Sequence, residues 1–338
     1  MKIKKPIYLS NSAVNTYLDC GEKYRLSYIE RIRINYTKSS FTFGSAIDNA
    51  VEVMLQNIGK PKSKQKDPHK KFKSTLTKYN INGKLTTLPK TSNCKYSKAD
   101  VQMELLDEAN LKDISDYMVS LGYDMSDYTV SDFWTHYDTS TKLKETLTKD
   151  DFLVFAYLAY NCLLKKGEML LPVLQQWVDD NVVEVHSTQQ ELRIEDEEGN
   201  VLRGFMDFVV TLKNGKKVLL DLKTSSNPNV DYPDGCVEDS QQLSIYYQEV
   251  TVDEAGYLVI GKNIRKKKEP RVALREVYGV IPEENIDKVF DNIHGVLDNI
   301  KQEKFEKNKS SCWNWGGCEY KDLCHKGSMK GLVKLKDK

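Results

Sequence analysis

The chain has 338 residues, 40% of them hydrophobic and 29% charged, with a formal net charge of +1; this excludes fibrous, collagen-like and disordered classes and leaves a globular protein with one large core or two modest ones. No uninterrupted apolar run approaches the roughly 20 residues needed to span a bilayer, and the polar start MKIKKPIYLSNS lacks a signal-like apolar stretch, so a cytoplasmic location without a membrane partner is expected. The seven cysteines are an odd number, which favours thiols or metal ligands over a disulfide framework.

In chain order, Ser10 or Ser12 can cap a helix that carries Val14, Tyr17 and Leu18 at helical spacing; a break is expected at Cys20-Gly21, with a second helix after it. A third helix is predicted from Phe43 to Asn57, with Asp48 and Glu52 one turn apart on one face. From Lys60 to Lys98 there are twelve lysines and one acid, Asp67. The weak periodicity there predicts a long loop, whose charge is either a solvated run or a surface for phosphates. Helical patterns return from Ala99 to Leu121 and from Asp150 to Val178, the second with Phe152, Phe155, Leu158, Ala159 and Leu163 on an apolar face.

From Val182 the period changes to two. Strands are predicted in VVEVHSTQQELRI, VLRGFMDFVVTL and KKVLLDLKT, separated by Glu-Gly-Asn and Asn-Gly turn signals, as an antiparallel meander. A helix over Asp239 to Val250 follows, then strand patterns at Tyr257 to Ile260 and Arg271 to Val280 and an amphipathic charged helix from Pro282 to Phe305. Lys262 to Arg271 is a second basic run, and a loop-rich tail from Lys307 carries three cysteines.

The stretch GFMDFVVTLKNGKKVLLDLK, Gly204 to Lys223, holds the candidate chemistry. If Lys213-Asn214-Gly215 is a three-residue loop with Gly215 left-handed, Asp207 lies opposite Asp221 and alternation puts Lys223 on the same face. Facing carboxylates repel unless something holds them, and a hard divalent ion such as Mg²⁺ or Mn²⁺ prefers oxygen ligands. A two-residue turn would instead send the aspartates to opposite faces, as ordinary surface charges. The flanking Val218-Leu219-Leu220 and Leu222 mark the strand as buried, where charges need partners.

Gly204-Phe205-Met206-Asp207 and Asp221-Leu222-Lys223 resemble the G-x-x-D and (D/E)-x-K strands of the PD-(D/E)XK nuclease superfamily, specifically its RecB-like branch, which includes CRISPR-associated exonucleases and iron-sulfur helicase-nucleases. The resemblance implies that Asp207 and Asp221 bind the metal and that Lys223 serves the attacking water. Gln242 and Tyr246 are similar to the branch's Q-x-x-x-Y motif, four residues apart on one helical face towards active site and DNA; in isolation the pair reads first as a solvated Gln beside a core Tyr, and it gains weight from its place about twenty residues after Asp221-Leu222-Lys223. Where the branch has a metal-binding histidine in G-x-x-x-H, this chain has Gly44-Ser45-Ala46-Ile47-Asp48, so Asp48 becomes an oxygen-donor candidate or a hydrogen-bonding residue. The branch's glutamate ahead of the first metal aspartate falls in Gln189-Gln190-Glu191, where Glu191 is the available carboxylate although the usual alignment points to Gln189.

Cys312, Cys318 and Cys324 are spaced C-x5-C-x5-C, and Cys20 follows the first helix. Iron-sulfur members of the branch place three cysteines at the C-terminus as C-x2-C-x5-C and a fourth after the first helix. The resemblance therefore implies a [4Fe-4S] cluster on these four thiolates, with Trp315 standing where the first of the three normally lies. Structural Zn²⁺ is the alternative, with His325 available as a substitute ligand. Cys94, Cys162 and Cys236 have no partner at ligand spacing, and Trp313 and Trp315 can either stack on bases or pack about the cysteines.

The expected fold is α/β, a restriction-endonuclease-like mixed sheet flanked by helices. Its segments are N-terminal helices (1–58), a lysine-rich and helical insertion (59–180), the nuclease core (181–306) and a C-terminal cysteine module (307–338). The expected activity is Mg²⁺- or Mn²⁺-dependent hydrolysis of DNA, single-stranded or with free ends, by an exonuclease of recombination or repair encoded by a phage or mobile element. A catalytically inactive nucleic-acid-binding or assembly module is the competing class.

Overall fold

The computed structural model describes residues 6–34, 39–76, 78–81, 84–87, 149–262, 272–313, 317–329 and 332–335. After the two-residue strand β1 (Tyr8–Leu9), Ser10 accepts the Ala13 N–H at 3.2 Å and starts helix α1 (Asn11–Asp19). Cys20, extended at φ −163°, makes the expected break; α2 (Gly21–Tyr24) follows and continues as a π turn through Ile29. Strand β2 (Ile32–Ile34) and helix α3 (Ser39–Gln56) complete this part.

The loop expected after Lys60 is in part a helix, α4 (Pro68–Leu76). Phe72 and Leu76, one turn apart and at most 1% exposed, supply the apolar stripe that the surrounding lysines obscure. Asp67 caps the helix, its Oδ1 accepting from the N–H groups of His69 (2.9 Å) and Lys70 (3.2 Å). A hairpin of β3 (Lys78–Ile81) and β4 (Lys84–Thr87) follows. The helix predicted over 99–121 lies outside the described residues. Helix α5 (Lys149–Asn181) runs through the predicted 150–178 span. Its predicted apolar face at Phe152 to Leu163 lies outside the described side chains, and Leu170, Leu171, Leu174, Trp177 and Val178 form the buried stripe.

The meander forms as predicted from β5 (Val182–Glu195), β6 (Val201–Leu212) and β7 (Lys217–Ser225). Helices α6 (Pro228–Asp231) and α7 (Gln241–Tyr247) then lead to β8 (Glu254–Gly261), which pairs with β7 in parallel, and β9 (Leu274–Gly279) adds antiparallel to β8. The result is a six-stranded mixed sheet in the order β1-β6-β7-β8-β9, with β5 on the other edge of β6. One edge of β6 is shared: parallel β1 takes Val201 and Leu202, and antiparallel β7 takes Phe208 to Thr211.

Helices cover both faces of the sheet, which is why β7 reads as a nearly continuous apolar run. On one face Ile47 and Met54 of α3, Phe72 of α4 and Leu174 of α5 pack against Val210, Leu220 and Leu258. On the other, Val14 of α1, Tyr246 of α7 and Ile293 of α8 (Glu283–Lys301) pack against Met206, Leu219 and Val259. The tail crosses back to the start of the chain through α9 (Lys321–Lys326) and β10 (Leu332–Lys334), which pairs antiparallel with β2. This is the expected α/β class, a mixed sheet between helical layers. No helix among the described residues is long and apolar enough to cross a membrane.

Candidate active site

The β6–β7 turn fixes the geometry. Gly215 is left-handed at φ 85°, the Leu212 N–H donates to Lys216 O at 2.9 Å, and the pairs run Phe208↔Leu220, Val209↔Leu219 and Val210↔Val218. One step further in that register brings Asp207 opposite Asp221. The Leu222 N–H donates to Asp207 Oδ2 at 2.8 Å, and the Lys223 ammonium forms an ion pair with Asp221 Oδ2.

Strand β6 also changes face at this point. Leu202 and Met206 pack in the cluster beneath α1, α7 and α8, whereas Phe208, Val210 and Leu212 pack in the opposite one. Strict alternation would keep all five on one side. The switch falls at Asp207, and across from it Gln189 of β5 adopts φ 48°, uncommon for a residue with a β-carbon. Its side chain donates from Nε2 to Asp207 Oδ1 at 3.2 Å.

Helix α7 delivers the next pair of residues. Ser240 caps it by accepting the Leu243 N–H at 3.1 Å, and the Ser240 hydroxyl also bonds the Tyr257 hydroxyl, anchoring the helix start on β8. Gln242 Nε2 donates to Asp221 Oδ1 at 2.7 Å and Lys223 Nζ donates to Gln242 Oε1 at 3.2 Å. Tyr246 lies one turn on, its hydroxyl 3.4 Å from Gln242 Nε2. The ring crosses β6 where Gly204 lacks a side chain, since a β-carbon there would come within 2.7 Å of Tyr246 Cε1.

Asp48 arrives from α3 on the same group. Burial, followed by the charges of Asp207 and Asp221, pushes its carboxyl up to about 8, with Lys223 opposing. Burial and Asp221 likewise raise Asp207, offset in part by the Leu222 N–H, Lys223 and Gln189. Asp221 is raised by burial against the pull of Lys223. Burial draws the Lys223 ammonium down, but Asp221 and then Asp207 more than compensate, so it stays protonated. Three carboxyl groups around one ammonium gather hard oxygen donors, and a divalent cation would favour the ionised forms that burial disfavours, which fits Mg²⁺ or Mn²⁺ chemically. Among the described residues no three His, Cys, Asp or Glu side chains stand as a ready-made ligand set; the oxygens of Asp221 are engaged by Lys223 and Gln242 and those of Asp207 by Gln189 and the Leu222 amide.

Glu191 does not join this cluster. It lies exposed on β5 with its Oε1 2.6 Å from Arg203 Nε, and Gln189, two residues earlier, occupies the place beside Asp207. Two tyrosines that the sequence did not single out border the site. Tyr257 pairs with Asp221 across β7–β8, and Tyr232 packs edge-on to its ring at 5.0 Å. Tyr257 lies within an apolar strand and reads as core, and Tyr232 lies in a bend after α6 where no periodicity marks it.

Cys20 ends α1, and the tail that carries Cys312, Cys318 and Cys324 is tied to that end. Asn308 Nδ2 and Ser311 Oγ both donate to Asp19 O at 2.9 Å, and the Asn308 N–H approaches Cys20 Sγ at 3.4 Å. Cys312 Sγ lies 3.6 Å from His325 Nε2, adjacent to Cys324, while the Cys318 N–H donates to Cys312 O at 3.1 Å. Tyr320 locks the tail down by accepting from Ser27 Oγ and donating to Ile32 O, both at 2.9 Å. All four are free thiols at one end of the fold, chemically suited to a thiophilic metal, but they do not close into a ligand set. Trp313 is 73% exposed with the Lys321 ammonium over its ring, so it is not packed among them; Trp315 and Cys94 lie outside the described residues.

A family model of the PD-(D/E)XK nuclease superfamily matches residues 141–325, and no curated protein matches the chain. A solved structure described as "Crystal structure of SSO0001" is 16% identical, the match covering 67% of this chain and 95% of that one at a TM-score of 0.30, too weak a likeness to carry an argument.

Proposed function

Because the chain belongs to the PD-(D/E)XK nuclease superfamily, whose model matches more than half of it, we propose that it is a metal-dependent deoxyribonuclease that hydrolyses phosphodiester bonds as an exonuclease at DNA ends. The supporting observation is the hairpin, whose register ends in Phe208↔Leu220, with Asp207 accepting the Leu222 N–H just beyond it and Lys223 paired to Asp221. Asp207 and Asp221 would hold Mg²⁺ or Mn²⁺, with Asp48 as a further oxygen donor. When bound, such an ion supplies a water of lowered pKa and polarises the phosphate.

The protein's own groups do the rest. The Lys223 ammonium, kept charged by its carboxylate neighbours, sets fixed positive charge where a phosphate gathers negative charge in the transition state. Gln242 bridges Asp221, Lys223 and Tyr246, so one amide holds the carboxylate, the cation and the phenol in mutual register. Tyr246, wedged over Gly204, positions the strand. Cys20, Cys312, Cys318 and Cys324 are proposed to bind a [4Fe-4S] cluster, or Zn²⁺ in its place, as a clasp between the tail and α1. The setting proposed is recombination or repair in a phage or mobile element.

The test is degradation of end-labelled DNA by purified protein with Mn²⁺. Asp221→Asn and Lys223→Ala are each expected to lose about 100-fold or more in rate; equal activity in all three proteins would sink the assignment. For the clasp, broad visible absorbance that disappears in Cys20→Ser supports the cluster, and a colourless protein with stoichiometric zinc replaces it with the zinc site.

A further inference from the structure

Between Lys60 and Lys73 seven lysines (60, 62, 64, 66, 70, 71 and 73) are all exposed, on a chain whose net charge is only +1. Gathering so many ammoniums in one place costs mutual repulsion, which a polyanion relieves. The acid of the stretch, Asp67, is exposed beside them and caps α4.

These lysines stand on ordered backbone. The Lys62–Lys64 turn closes with the Lys64 N–H on Pro61 O at 2.8 Å, and Gln65 Nε2 donates to Lys60 O at 3.0 Å. The Asn57 side chain grips Lys66 twice, donating to its carbonyl at 2.7 Å and accepting from its N–H at 2.9 Å. Phe72 and Leu76 pin α4 into the core. Lys73 pairs with Glu168 at 3.6 Å.

The basic surface is continuous with the carboxylate site. Asp48, Glu52 and Gln56 follow one another at four-residue intervals along α3, and Gln56 Nε2 donates to Glu52 Oε1 at 2.9 Å. Glu52, Val53 and Gln56 then line a groove of about 640 Å³ whose other wall is Lys66, Asp67, Lys70, Lys71 and Ser74, three ammoniums against two carboxylates. At 1.5 Å per residue, Gln56 lies about 12 Å along the helix from Asp48, the axial rise of about four nucleotides of one strand.

We propose that the α3–α4 seam is a phosphate track that holds the DNA backbone next to the active site. It rests on the nuclease reading for the identity of the polyanion. The lysines contact phosphates and carry no base information, so binding through them is sequence-independent and salt-dependent.

The test combines Lys62→Gln, Lys64→Gln, Lys66→Gln and Lys70→Gln. In an Asp221→Asn background, binding of labelled single-stranded and duplex DNA is followed by anisotropy over a series of salt concentrations. The slope of log K against log[salt] is expected to flatten by about 3 for four lost phosphate contacts. In the active background KM should rise by about tenfold or more, with kcat at saturating DNA changed less than about twofold. A control with Lys213→Gln and Lys288→Gln, exposed lysines of the β6–β7 turn and α8, should leave both readouts in place. An unchanged slope and KM in the fourfold variant, or an equal loss in the control, overturns the proposal. If the wild type cleaves no DNA the nuclease reading fails, and the slope still decides whether the seam binds it.

Discussion

At Gly204 the fold leaves room for a ring and nothing more. A β-carbon there would sit 2.7 Å from Tyr246 Cε1 and 3.1 Å from its hydroxyl, against the roughly 3.5–4.0 Å at which carbons rest in contact. The backbone at Gly204 is not left-handed, so Gly204→Ala violates a contact and not a conformation. In an open position the substitution would stabilise by about 0.4–1 kcal/mol through the unfolded chain. Here Tyr246, 4% exposed, must move against its packing, at about 1–3 kcal/mol, so a net loss of about 1–2 kcal/mol is expected. A double-mutant cycle isolates the cause. Tyr246→Ala costs about 3–5 kcal/mol alone, and in its background Gly204→Ala should become neutral or stabilising. Tyr246→Phe retains Cε1 and should give no relief. Urea unfolding of the single and double variants measures the coupling. Additive effects, or relief by phenylalanine equal to that by alanine, would refute the steric account.

Other positions are testable on the same footing. Gln189→Ala, which removes the donor to Asp207 Oδ1, should impair cleavage, while Glu191→Ala, which breaks an exposed pair with Arg203, should leave cleavage intact and stability within about 0.5 kcal/mol; paired rate and denaturation measurements decide it. Asp67→Ala should cost about 1 kcal/mol by uncapping α4 yet tighten DNA binding, because it deletes one of the two acids, with Glu52, that line the lysine seam; calorimetry and anisotropy read the two effects separately. Lys166, held down to about 7 by burial and then by Lys262, should make stability rise with pH. Between that value and the unfolded pKa of about 10.4, the unfolded chain holds a proton that the folded one has released, so unfolding becomes harder as pH climbs. Lys166→Met should flatten this dependence in denaturation curves from pH 7 to about 10; an unaltered curve would exclude Lys166 as its source.

Much of the site was legible because a turn transmits its register along two strands. Asn214-Gly215 named the turn but left its length open, and the pairing of Phe208 with Leu220 selects the three-residue loop, the register that directs Asp207 towards Asp221. Gln242 and Tyr246 were likewise readable from helical spacing. Glu191 was chosen as the available carboxylate of Gln189-Gln190-Glu191, whereas the place beside Asp207, to which the alignment pointed, is held by Gln189, where the backbone turns left-handed and β6 exchanges faces. No periodicity announces such a kink. Helix α4 was hidden because two apolar residues among lysines make a faint stripe, although that stripe is what buries it. Strand β1 was invisible for a simpler reason: two residues have no period, and its partner lies some 190 residues away in the chain.

The pairing of β10 with β2, which joins Leu332 to Ile34 and Lys334 to Ile32, bears on the order in which the molecule assembles. The N-terminal helices emerge first but lack both this partner and Tyr320 until nearly 300 more residues have been made. At about 5–20 residues per second, that is a wait of about 15–60 s. During it Leu26 and Ile32 have no tail to cover them. Nascent-chain folding should therefore proceed from the middle outward, with the first residues of the chain among the last to become protected from proteolysis.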